Sequence, residues 1–109
     1  MKKTILAALI ALASASSHAE VADVADLTAS CRTLTVANSQ TGVYRIMSRA
    51  FVAGAAQMRF RQEVADGRHM LALGNGEALD AVTLYCGRHP TDDVAKAVEW
   101  AVEDHAKQQ

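Results

Sequence analysis

Cys86 and His89 stand at C-x-x-H spacing in "YCGRHP" (85–90), an arrangement in which a thiolate and an imidazole can share a zinc ion. A closed zinc site needs four ligands, and His69 and His105 form no second pair, so no metal site is expected. A nucleophilic Cys86 would need a base and a group to orient it, and only His89 is on offer. No paired carboxylates with a histidine partner, glycine-rich phosphate loop or Ser/His/Asp set stands out elsewhere. The chain is therefore not expected to be an enzyme or to carry a cofactor. His69, His89 and His105 are read as surface or loop residues, at most one of which tunes behaviour near pH 6.

A third use of cysteine is architectural, and the first residues of the chain favour it. Lys2 and Lys3 precede the apolar run "TILAALIALA" (4–13), and Ser17 and Ala19 bracket His18 in a small-x-small pattern. That is the pattern of a secretory signal peptide (1–19) cut after Ala19. The apolar run is about half of the roughly 20 residues needed to span a bilayer, so no membrane insertion is expected after cleavage. The expected location is the periplasm, where a pair of cysteines is readily oxidised. Cys31 and Cys86 would then form a disulfide closing 55 residue steps. Chain-entropy arguments value such a closure at roughly 4 kcal/mol.

The domain that remains, 20–109, needs such a staple. A chain of this length buries only ~65% of its unfolded surface. It is expected to be one domain. Without Lys2 and Lys3 it has nine basic and twelve acidic residues, a net charge of −3 with neutral histidines. No basic patch invites nucleic acid.

The elements that must hold these residues are helical throughout. Val24, Leu27, Cys31 and Leu34 share one face of a first helix over 20–37. "NSQTGVY" (38–44) is turn chemistry. The longest helix, over 43–65, carries an apolar stripe of Val43, Met47, Ala50, Phe51, Gly54 and Met58. "DGRHMLALGNG" (66–76) has no clear period and reads as a short turn packed on the core or as a mobile flap. A third helix over 77–86, capped by Asn75, places Leu79, Val82, Thr83 and Cys86 on one face. A fourth, over 91–107, starts at Thr91 as N-cap and repeats Val94, Ala97, Val98, Ala101 and Val102. Trp100 lies off that stripe, either packed at a core margin or in contact with a partner. The expected fold is all-α, a small irregular four-helix bundle stapled by one disulfide.

In this arrangement "YRIMSRAFVAGA" (44–55), Cys31 and "AVTLYCGRHPTDDVAKAV" (81–98) carry a resemblance. Together with the signal peptide, the chain resembles the HdeA/HdeB family of small periplasmic acid-stress chaperones. The resemblance implies a pairing of the late cysteine with the upstream one, and a chaperone that works without ATP. A second resemblance is to periplasmic immunity proteins that neutralise type VI secretion effectors. Those also show an aromatic-x-x-Gly turn, comparable to "FVAG" (51–54), before a late cysteine.

Two functions follow as expectations. Full protonation would take the net charge from −3 to +12, and self-repulsion could loosen the bundle. Met47, Phe51 and Met58, with Trp100, would then bind unfolded clients. The alternative is a stoichiometric binding module, such as an immunity protein or envelope adaptor. Its partner would meet the acidic ridge of Glu99, Glu103 and Asp104 or the 66–76 loop. A neutral-pH homodimer stays open under both readings.

Overall fold

A computed structural model describes residues 27–109 of the protein, so the expected signal peptide and residues 20–26 lie outside the described residues. Four helices and no named strand occupy the described residues: α1 (Cys31–Ser39), α2 (Val43–Ala65), α3 (Asn75–Arg88) and α4 (Val94–Lys107). The fold is all-α, as its periodicity predicts.

Each start reflects local chemistry. The Ser30 hydroxyl accepts from the Thr33 N–H at 3.1 Å and caps α1, so Leu27–Ser30 are not helical. Their backbone is committed elsewhere. The Val94 and Ala95 N–H groups donate to the Ala29 and Leu27 carbonyls at 2.8 and 2.9 Å. In return the Cys31 and Arg32 N–H groups donate to the carbonyls of Asp92 and Pro90 at 2.7 and 3.0 Å. The orphan donors in the first turns of α1 and α4 thus find acceptors in the carbonyls that precede the other helix. Ser30 and Asp93 form an antiparallel bridge between the two segments. Helical periodicity across 20–30 gives way, within the described part, to this pairing.

Two further boundaries differ from expectation. The N-cap of α4 is Asp93, whose carboxylate accepts from the Lys96 N–H at 2.9 Å, rather than Thr91. The N-cap of α3 is Gly74, with Asn75 already the first helical residue. Thr83 is exposed, and its hydroxyl donates to the Leu79 carbonyl at 2.8 Å, so α3 buries Ala78, Val82 and Cys86 instead.

The core draws on all four helices and on Leu73 of the 66–74 segment. Its fully buried members are small: Val52, Val82, Val94 and Val102, with alanines and the two cysteines. Valines and alanines supply little apolar area each, and the Cys31–Cys86 disulfide joins α1 to the end of α3 with Cα atoms 4.8 Å apart. Beside it the Tyr85 hydroxyl donates to Asp92 at 2.5 Å, which raises the phenol's pKa and fixes the α3–α4 corner.

Helix α2 departs most from the expected pattern. Its core face is Ser48, Val52 and Ala56, with Ser48 donating to the Asn38 side-chain oxygen at 2.7 Å. Most of the predicted apolar stripe points outward, with Val43 and Met58 65% and 73% exposed, whereas Phe51 is partly buried and packs against the core. At 100° per residue, Val43, Met47, Ala50, Gly54 and Met58 lie opposite Val52. A helix apolar on both sides is normally covered on both. Among the described residues only one side is covered.

Candidate functional site

Where α2 runs beside α4, the outward stripe becomes one wall of a groove of about 700 Å³. Ala50, Phe51, Gly54, Ala55 and Met58 form that wall, Ala95 and Val98 of α4 face it, and Leu27 is part of the lining. Arg59, Gln62 and Glu99 supply its polar part. Arg59 lies 3.1 Å from Glu63 and 3.8 Å from Glu99, so each side chain meets an opposite charge. The groove therefore offers a neutral apolar surface with one cation and one anion beside it, and a volume within the usual range for ligand clefts, about 300–1,000 Å³.

Of the residues that sequence singles out for binding, Phe51 and Met58 lie in this groove and Met47 continues the stripe along the same face. Trp100 does not join them. It projects from the opposite flank of α4, where its ring sits 5.5 Å from that of Tyr85, and lines a separate depression with Glu77, Asp80 and Asp104. Leu27, Ala95 and Val98 were not readable as groove residues. Their inclusion depends on the α1–α4 pairing, which no periodicity announces.

A second cluster closes the other end of the bundle. Residues 68–74 cross from α2 to α3 without regular structure, with Leu71 72% exposed and Leu73 buried. The Arg68 guanidinium grips both oxygens of Glu103 at 2.5 and 3.1 Å, which holds that carboxyl below the ordinary range. The Gln57 side chain donates to the Leu73 carbonyl at 2.5 Å, and the Leu71 N–H donates to the Gln109 side chain at 2.6 Å. His105, read from sequence as a surface or loop residue, is only 5% exposed. Its Nδ1 faces Glu77 Oε1 at 2.6 Å and its Nε2 faces the Leu71 carbonyl at 2.8 Å. Both partners are acceptors, so satisfying both requires the imidazolium, which donates twice. The Leu71 carbonyl and then the Glu77 carboxylate raise its pKa, against the opposing effect of burial.

Cys86 is tied up in the disulfide and His89 stacks against Tyr85 at 4.4 Å, so their C-x-x-H spacing supplies no thiolate for a metal. Among the described residues no group of three or more metal-ligating side chains converges. No helix among them is long and apolar enough to cross a membrane. Compared with protein-family models, with curated proteins and with solved structures, the chain matches none.

Proposed function

We propose that this is an exported polypeptide-binding protein, a chaperone of the acid-stress type that uses neither ATP nor cofactor. The observation that carries the reading is the outward apolar face of α2, continuous from Val43 to Met58 and deepened into a groove by α4. Apolar side chains of an unfolded client would enter beside Gly54 and Phe51, while its polar backbone stays at the Arg59–Glu99 rim. Met side chains suit this work because their unbranched thioethers adapt to varied shapes.

Acid enters through the carboxylates that tie elements together. Glu103 holds Arg68, Glu77 holds His105 and Asp92 holds Tyr85. In acid the Glu103–Arg68 tie is lost while net charge climbs toward +12, so the bundle loosens and its binding face widens. The disulfide limits how far it opens.

The test is light scattering of several unrelated unfolding clients, at neutral pH and near pH 2–3, with wild type and Met58→Glu. Suppression by wild type that increases in acid and weakens in the variant is the expected result. No suppression of any client at either pH ends the reading.

A second reading, a stoichiometric module for one partner, is favoured by the groove being already formed with a fixed charge pair beside it. Saturable one-to-one binding of a single folded protein, with no effect on unfolded clients, would select it.

A further inference from the structure

The 68–74 segment is attached by charge more than by apolar area. Leu73 is its buried anchor and Met70 is partly buried, whereas its polar ties reach three helices and the C-terminal residue. From α2 come Gln57 and Glu63, the latter 3.7 Å from Arg68. Helix α3 supplies Glu77, which acts through His105. From α4 come Glu103 and His105, and Gln109 holds the Leu71 N–H.

We propose that residues 68–74 form a pH-gated strap, fastened while Glu103 is ionised and His105 carries both ring protons, and released when either condition fails. The inference is independent of what the groove binds. Releasing the strap takes Leu73 out of the core and frees the side of Phe60, whose ring lies 6.2 Å from that of His105 in an edge-to-face arrangement.

The groups around each tie set the two limits. Facing Arg68 and Glu103 are Glu63 and Arg59 from α2 and Lys107 from α4. Arg68, Lys107 and Arg59 all favour the ionised carboxylate, so this tie survives into moderate acid and fails below it. Around His105 stand Glu77 and Asp80 from α3 and Asp104 from its own helix. That surround is acidic and favours the imidazolium. Deprotonation leaves one N–H for two acceptors, so the ring must abandon either Glu77 or the Leu71 carbonyl. Loss of the Leu71 carbonyl tie leaves the middle of the segment held by the Leu73 side chain and the neutral bonds of Gln57 and Gln109.

Hydrogen exchange by mass spectrometry of the intact, oxidised protein, corrected for intrinsic rates, reads the strap without any client. Protection of the 68–74 amides should be greatest at about pH 6. It should fall roughly tenfold on each side, by about pH 3 and about pH 9, the scale of losing one charge-assisted hydrogen bond. On the alkaline side the helices should keep their protection, and on the acid side the strap should lose its own at a higher pH than the helices do. His105→Gln should abolish the alkaline fall and leave the acid one. Protection that is flat with pH, or that falls only in step with α1 and α3, overturns the proposal. The wild-type series decides this by itself if the variant does not fold.

Discussion

Cys31 and Cys86 meet where the first turns of α1 and α4 exchange backbone hydrogen bonds, and both residues are buried. The disulfide therefore anchors a junction that four inter-segment backbone bonds also hold. Because the most deeply buried side chains around it are mainly valine and alanine, the covalent link should matter to stability. Reduction, or Cys31→Ser with Cys86→Ser, is expected to lower unfolding free energy by about 2–4 kcal/mol. Urea titration with and without reductant measures it, and equal midpoints would show that the backbone exchange suffices.

The α4 start gives a sharper test because two residues compete for it. Asp93 accepts from the Lys96 N–H, whereas Thr91 is exposed and lies outside the helix. Asp93→Ala should cost about 1 kcal/mol, the usual loss on removing a cap. Thr91→Ala should change stability by no more than ~0.5 kcal/mol. The reverse order in thermal melts would return the helix start to Thr91.

Much of this fold was legible in the chain, and what was not has specific causes. Helical periodicity located α2 to the residue and α4 to its final turn, since both run long enough to show their period. The disulfide pair followed from there being two cysteines behind a signal-like leader. Periodicity does not report direction. The stripe of Val43, Met47 and Met58 has the spacing of a core face, and only the competing Ser48, Val52, Ala56 face, with its hydroxyl bonded to Asn38, reveals which side turned inward. The late start of α1 was hidden for another reason: the carbonyls of Leu27 and Ala29 serve α4, a contact between distant parts of the chain. His105 was missed because its partners, Glu77 and the Leu71 carbonyl, are nowhere near it in sequence.

Gly54 makes the outward face of α2 testable. A Cβ added there meets nothing within 4 Å, so the fold itself does not require glycine in mid-helix. Gly54→Ala should raise stability by roughly 0.5–1 kcal/mol through helix propensity alone. Met58→Ser, at a position largely open to solvent, should leave stability within about 0.5 kcal/mol of wild type. If instead Met58→Ser destabilises strongly in denaturant titration, that side chain is covered by something, and the groove is not a free surface.

The His105 imidazolium predicts a stability that declines with rising pH, opposite to the usual carboxylate effect. Its pKa in the folded protein is raised above the ordinary 6.5, so its contribution is fully present below that value. The contribution disappears as pH rises through the raised value. Glu103 runs the other way: with its pKa held below the ordinary 4.5 by Arg68, its contribution is present above 4.5 and is lost as pH falls through the depressed value. Between the two lies a band in which both act. Urea midpoints of wild type should therefore fall between about pH 6.5 and pH 9. His105→Gln should start lower and stay level over the same range, because glutamine cannot titrate there. The difference between the two proteins isolates the imidazole from every other group. A constant difference across that range would mean that the His105 pKa is not raised in the folded protein, and that the ring does not hold Glu77 and the Leu71 carbonyl as a double donor.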